Sequence, residues 1–236
     1  VITVTARLKF LVTNDDGVHA PGLAAMQQAL TELGEVLVLA PHEHLSGCSH
    51  QSTTHRGLEL TELAPGKYQL DGTPVDCTRA GLLHLAPEVD WVCSGINAGG
   101  NLGADVYPSG TVAAVREAAY LGKRGIAVSQ YIRRRLPIQW EPAIAWTAEV
   151  IRRLLPLRLE PGEFWNVNLP DFDRPIEPHP EIVFCALDGN PLPVRFVEED
   201  GKLHYRGVYQ ERARTAGCDV EICFSGQIAI TKLRVV

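Results

Sequence analysis

From Leu8 to about Gln130, apolar runs of strand length alternate with segments whose apolar residues recur at helical spacing. The run Leu8 to Val12 is followed, after Pro21, by Leu23, Met26, Leu30 and Leu33, with Gly34 expected just past the helix end. VLVLA, from Val36 to Ala40, then reads as a buried strand stopped by Pro41. Such a β-α-β unit implies parallel strands joined by a right-handed crossover. The order continues through YQLDGTPVDCTRAGLLHL, where a strand turns at Gly72-Thr73-Pro74 into a helix, and through a strand from Trp91 to Ser94. A Gly-rich loop, GINAGGNLG, precedes a helix that opens near Thr111 and ends at Gly122, and GIAVSQ closes the series as a strand. The alternation predicts an α/β protein with a Rossmann-like, doubly wound and mostly parallel sheet.

Beyond Gln130 the pattern loosens. EPAIAWTAEVIRRLL reads as an amphipathic helix, and WNVNLP and EIVFCAL read as strands. From Gly189 to Val236, Pro, Gly and charge intersperse β-type runs such as VEICF and QIAIT, which predicts a C-terminal β-hairpin extension. Nothing forces a two-domain cut, so residues 1–236 are read as one domain, with a core over about 8–155 and a hairpin region over about 185–236 that serves association.

Composition excludes several classes. The net charge is −6, and the only basic block is Arg133, Arg134 and Arg135, which is ordinarily a solvated face, so no dedicated DNA or RNA surface is expected. Six cysteines without a CxxC pair look like core residues of a reducing compartment. No apolar run approaches the roughly 18 residues of a membrane span, and VITVTARLKF lacks a signal-type apolar stretch. The expectation is a soluble cytoplasmic protein with no membrane partner.

In open parallel sheets ligands bind outside the carboxyl ends of the strands, and the polar Gly-rich segments here all fall at those ends. Asp15 and Asp16 follow the first strand, Ser46 and Gly47 the second, Asn97 and Asn101 the strand at Trp91, and Ser109-Gly110-Thr111 opens the next helix. Two adjacent carboxylates about 4 Å apart repel by roughly 4 kcal/mol near a surface, so they face water or hold a cation. Carboxylates, a hydroxyl and an amide carbonyl are hard oxygen ligands suited to Mg²⁺ or Mn²⁺. Small residues ahead of the helix at Thr111 leave amides free for an anion.

Each piece also has an ordinary structural explanation. Asn-Asp-Asp-Gly is a turn sequence, Ser-Gly-Thr a helix cap, and GINAGGNLG a loop needing positive φ. His42-Glu43-His44 with His50 lacks HExxH spacing and is read as the rim of the crevice. His19 could reach a substrate as general acid, or serve only the approach to the helix.

Taken together, NDDGVHAPGL, APHEHLSG, DGTPVDC, SGINAGGNLG and YPSGTVAAVREA resemble, in order and spacing, the signature segments of the SurE family, the survival-protein-E nucleotidases. WNVNLP and GCDVEICFSGQIAIT look like that family's later segments. The resemblance implies a Rossmann-like fold with a hairpin arm that swaps in a homodimer or homotetramer. It also implies divalent-metal-dependent hydrolysis of nucleoside 5′- and 3′-monophosphates, a metal-activated water attacking the phosphorus, with other small phosphomonoesters or short polyphosphate as further substrates. Carried over to this chain, one metal ion per subunit, Mg²⁺ or Mn²⁺, falls on Asp15, Asp16, Ser46 and Asn97, with Asp15, Asp16 and Asn97 as the catalytic set. Phosphate and substrate contacts fall on Asn14, Gly47, Asn101, Ser109, Gly110 and Thr111. The chain departs from the family pattern at His42, where an acid is usual, and at Leu45, where a base is usual, and it ends ITKLRVV.

Other chemistries fit less well. A haloacid-dehalogenase-like phosphatase wants Asp-x-Asp after its first strand, and the first βα turn lacks the GxGxxG of an NAD-dependent oxidoreductase. From another class, a non-catalytic nucleotide or phosphate sensor of Rossmann-like fold would use the same crevice without turnover.

Overall fold

The computed structural model describes residues 7–133, 137–171 and 179–235. Arg134 and Arg135 of the basic run lie outside them, as does the stretch from Val1 to Ala6. Eleven strands are described, nine of them in one sheet: β1 (Leu8–Thr13), β2 (Gly34–Pro41), β3 (Leu60–Ala64), β4 (Lys67–Leu70), β5 (Trp91–Ala98), β6 (Arg124–Gln130), β7 (Glu163–Leu169), β8 (Ile182–Cys185) and β11 (Ile228–Arg234). Their spatial order is β3-β4-β2-β1-β5-β6-β7-β11-β8, and every pairing is parallel except β3 with β4 and β7 with β11. The strand order reverses about β1, which pairs with β2 on one side and β5 on the other, as a doubly wound sheet requires.

Helices cover both faces, so the central strands are mostly apolar, with polar residues toward their carboxyl ends. Along β1, Phe10 and Val12 pack into one core and Leu11 into the other, the two-residue period of a pleated strand. The first core receives Leu23, Met26 and Leu30 of α1 (Pro21–Thr31) and Trp146 and Val150 of α4 (Trp140–Leu154). The second receives Cys77 of α2 (Pro74–Ala80) and Val112, Val115 and Ala118 of α3 (Gly110–Tyr120). Each large side chain so buried contributes about 1.5–3 kcal/mol relative to exposure. This clamps the sheet from both sides and holds the strand ends in fixed register. Among the described residues no helix is long and apolar enough to cross a membrane.

Three local expectations are corrected. Gly34 is not a helix stop: Glu32 caps α1, and Gly34 begins β2, where a Cβ would lie 2.2 Å from the Leu8 carbonyl oxygen. Strand pairing to β1, not helix termination, requires glycine there. GINA is not a loop, because β5 runs on to Ala98 with its register against β6 shifting between Ser94 and Asn97. VEICF is not a strand but part of α5 (Asp219–Phe224), whose Val220 and Cys223, three apart, share a small core with Leu102, Tyr131 and Ala229. Buried Asp219 at its start accepts from the amides of Gly103, Asp188 and Val220, and the first two, 116 and 31 residues away, tie the helix start to the rest of the fold.

The sheet also takes in strands well past residue 155: β7 and β11 pair antiparallel, and β8 lies beyond β11. The C-terminal hairpin is β9 (Phe196–Glu199) with β10 (Lys202–Tyr205), a separate two-stranded sheet. Its turn places Asp200 and Gly201 at φ 51° and 69°, the left-handed pair that a tight hairpin turn needs.

Candidate functional site

The polar segments converge beyond the carboxyl ends of β1, β2 and β5. A cavity of about 180 Å³ is lined by Asp15, Ser46, Gly47, Asn97, Gly100, Asn101, Asp105, Pro108 and Ser109. Six of the ten residues singled out from the sequence therefore line one small space.

Asp15 is only 3% exposed, and its carboxylate accepts the Thr111 hydroxyl at 2.5 Å. Burial, and after it the charge of Asp16, holds its carboxyl above the usual range, while the Thr111 bond works the other way. Backbone amides of Asp15 and Thr111 also bond this carboxylate, but among the described residues no lysine or arginine side chain answers its charge or that of Asp16 beside it. Asp16 accepts from the Ala98 amide at 3.3 Å and lies 3.2 Å from the ring of His44, an exposed loop residue. The Asn97 amide nitrogen donates to the Gly99 carbonyl at 2.7 Å, which orients the side chain and leaves its oxygen as an acceptor.

Ser46 rides on the loop after β2, and that loop is fastened at several points. The Leu45 amide donates to the Asp15 carbonyl at 2.7 Å, and the Ser49 amide donates to the Pro108 carbonyl at 3.0 Å. Farther along, His50 meets Glu117 of α3 at 2.8 Å, and Glu117 also takes Arg79 at 2.6 Å. Gly47 sits at φ 79°, a left-handed conformation that suits glycine.

The start of α3 closes the other wall. Ser109 caps the helix by accepting from the Val112 amide at 3.1 Å, which leaves the first two amides of α3 without intrahelical partners and its positive end toward the cavity. A Cβ at Gly110 would come within 2.8 Å of the Cys48 sulfur and 2.9 Å of the Asp15 Cβ, so glycine permits the close approach. The thiol of Cys48 is pushed up to about 11, first by burial and then by Asp15, which keeps it protonated and a poor nucleophile. Asn101 is pinned from below: its amide nitrogen donates to Ser129 at 2.7 Å and its backbone N–H to Asn168 at 2.8 Å.

Four of the ten, Asn14, Asp16, Gly110 and Thr111, do not line the cavity; Asp16 and Gly110 flank it through their contacts with Ala98 and Asp15. Asn14 turns away from the cavity, its side chain exchanging two hydrogen bonds with the backbone of Gly17 and so shaping the loop that presents Asp15 and Asp16. Thr111 is fully buried, and its hydroxyl goes to Asp15 and not to the cavity. His19 is exposed, and His42 lies 3.9 Å from Asp71 in a neighbouring polar depression. Asp105 was not singled out by the sequence motifs; the structure puts it in the cavity wall.

The chemistry of the donor set can be tested for a cation. Two carboxylates, a serine hydroxyl and an amide oxygen are neutral or anionic hard donors, which fit Mg²⁺ or Mn²⁺ better than zinc. Among the described residues no cluster of three or more His, Cys, Asp and Glu side chains offers a competing centre.

An open, doubly wound α/β sheet with its polar loops gathered at a strand-order reversal defines a small-ligand-binding protein of Rossmann-like class. The family model described as Survival protein SurE matches residues 10–189. A relative from Synechocystis sp. is 49% identical over 228 residues, 97% of this chain and all of that one. The 5′-nucleotidase SurE of Ectopseudomonas mendocina is 36% identical over 235 residues, covering 96% of this chain and 92% of that one. The SurE protein from Aquifex aeolicus superimposes with a TM-score of 0.85 at 31% identity, over 97% of this chain and 94% of that one. The chain belongs to the SurE family.

Proposed function

We propose that this protein is a divalent-metal-dependent phosphomonoesterase that hydrolyses nucleoside 5′- and 3′-monophosphates to nucleoside and phosphate. The observation that carries the reading is the meeting of Asp15, Ser46, Asn97, Asn101 and Ser109 in one small cavity at the start of α3. The relatives named 5′-nucleotidase SurE support the substrate class.

In this reading Asp15, Asp16, Ser46 and Asn97 hold one Mg²⁺ or Mn²⁺ ion per subunit. When bound, the cation supplies Lewis acidity, drawing charge from the phosphate oxygens and easing deprotonation of water. The positive end of α3, with Ser109 and Asn101, orients the phosphate and stabilises charge on its equatorial oxygens, because fixed dipoles there need no reorganisation as the bond breaks. Thr111 holds the Asp15 carboxylate in place, and the Leu45 amide holds the Ser46 loop against it. The site is built around the phosphate, which agrees with action on other small phosphomonoesters and on the end of short polyphosphate. Exposed Phe196, Leu203 and Tyr205 on the hairpin support association as a homodimer or homotetramer.

The test is phosphate release from a panel of nucleoside 5′- and 3′-monophosphates, alongside binding of the same ligands. Release from both classes is expected. Saturable binding with no release from any substrate would make the protein a sensor.

A further inference from the structure

One wall of the cavity is a carboxylate that neither metal binding nor phosphate binding explains. Asp105 lines the space, with its side chain 14% exposed. One oxygen, Oδ2, takes three donors: the Tyr209 hydroxyl at 2.5 Å, Arg212 Nη1 at 2.7 Å and the Leu102 amide at 3.3 Å. The Arg212 side chain is fully buried, stacks 4.9 Å over the Tyr209 ring and also donates to the Leu102 carbonyl at 3.1 Å. Burial and the Asp105 charge push the Tyr209 hydroxyl far above its usual range, so it stays a donor. The other oxygen, Oδ1, takes no hydrogen bond among the described residues.

A carboxylate repels a phosphate dianion, so Asp105 does not serve the phosphate itself. Its charge is already answered by a buried guanidinium, which makes it a weak partner for a further cation. What remains for a fixed carboxylate oxygen that faces the cavity is to accept a hydrogen bond from a neutral donor. The sugar hydroxyls are the donors nearest the phosphate in a nucleoside monophosphate, and Asp105 lines the same open cavity as Asn101 and Ser109, the residues placed against the phosphate. We propose that Asp105 Oδ1 accepts a hydrogen bond from a sugar hydroxyl of the substrate, and that Arg212 and Tyr209 are positioning residues that aim it.

The C-terminal segment thereby gains a part in recognition. It meets the same loop again where Asp219 accepts the Gly103 amide at 2.8 Å, so residues 209–219 brace the wall that carries Asn101 and Asp105. A hydrogen bond to a charged partner corresponds to roughly ten- to hundred-fold in discrimination against an analogue lacking the donor.

The proposal rests on the phosphomonoesterase reading, and the test separates the two. With the native chain, kcat/KM is measured for a ribonucleoside 5′-monophosphate, its 2′,3′-dideoxy analogue, ribose 5-phosphate and p-nitrophenyl phosphate. The ribonucleotide should exceed the dideoxy analogue by about tenfold or more; equal values overturn the proposal while leaving the phosphomonoesterase reading intact. Asp105→Asn keeps an acceptor for Arg212 and Tyr209 but turns an N–H₂ group toward the cavity. It should lower the ratio of ribose 5-phosphate to p-nitrophenyl phosphate kcat/KM by about tenfold, and Arg212→Lys should lower it in the same direction. An unchanged ratio, or a loss seen with the nucleotide and not with ribose 5-phosphate, overturns the assignment to the sugar. Should Asp105→Asn fail to fold, the native series and Arg212→Lys decide. Release of phosphate from none of the four compounds refutes the phosphomonoesterase reading and the proposal with it.

Discussion

Replacing Gly110 by alanine tests how closely the start of α3 must approach Asp15. The added methyl would lie 2.8 Å from the Cys48 sulfur, 2.9 Å from the Asp15 Cβ and 3.0 Å from the Asp15 carboxylate. Cys48 is only partly buried, but Asp15 is tied to Thr111 at 2.5 Å and largely buried. Overpacking a tight site costs about 1–3 kcal/mol, and alanine returns up to about 1 kcal/mol of helix propensity, less at a first-turn position. The net loss is about 1–2 kcal/mol, which for a chain of this size lowers the melting temperature by roughly 2–8 °C. Function should suffer more, since displacing a catalytic group by about 1 Å costs on the order of a hundredfold in rate. Thermal melts, Mn²⁺ titration calorimetry and phosphate release together make the assay. Gly47→Ala is the companion: its Cβ meets nothing within 4 Å, but its φ of 79° costs about 1–2 kcal/mol for a residue with a side chain. A Gly110→Ala protein that melts at or above the native temperature and keeps its rate and metal affinity would refute the reasoning.

Thr111→Val keeps the shape but removes the donor to a buried carboxylate, and should destabilise the protein by about 1.5–3 kcal/mol in urea unfolding; an unchanged midpoint would contradict that role. The Asp15 carboxyl binds its proton more tightly folded than unfolded, so metal-free stability should fall as pH rises from about 4, near its unfolded pKa, through its raised folded pKa, and stay low above it. Asp15→Asn should flatten that fall and melt above the native chain at neutral pH in EDTA; a parallel fall in both would contradict it. Glu117→Gln should loosen the Ser46 loop from α3 by weakening its bonds to His50 and Arg79, raising the apparent Mn²⁺ Kd by about tenfold. An unchanged Kd would show that the loop is held by its backbone bonds alone.

The alternating strand and helix periods from Leu8 to Gln130 were legible because burial on both faces makes each central strand mostly apolar and each helix one-sided. VEICF misled because its β-branched and aromatic residues favour strands, whereas packing of Val220 and Cys223 on Leu102, Tyr131 and Ala229 and the distant amide donors of Asp219 hold a helix there. The cavity residues could be gathered from their places at strand ends, yet the division of labour among them could not. The bonds of Asn14 to Gly17 belong to the turn that the sequence already showed, whereas Thr111 turns to Asp15, a partner 96 residues away, which no spacing rule encodes. Asp105 escaped for the same reason, since its meaning comes from Tyr209 and Arg212, more than a hundred residues away.

The most direct test of the central claim is a titration of EDTA-stripped protein with Mn²⁺ while phosphate release from a nucleoside 5′-monophosphate is followed. Activity should be absent at the start, rise with occupancy and saturate at one ion per subunit, and Asp15→Asn should show no such rise. Full activity in the stripped protein, or an Asp15→Asn protein that regains the native rate with metal, would contradict the account.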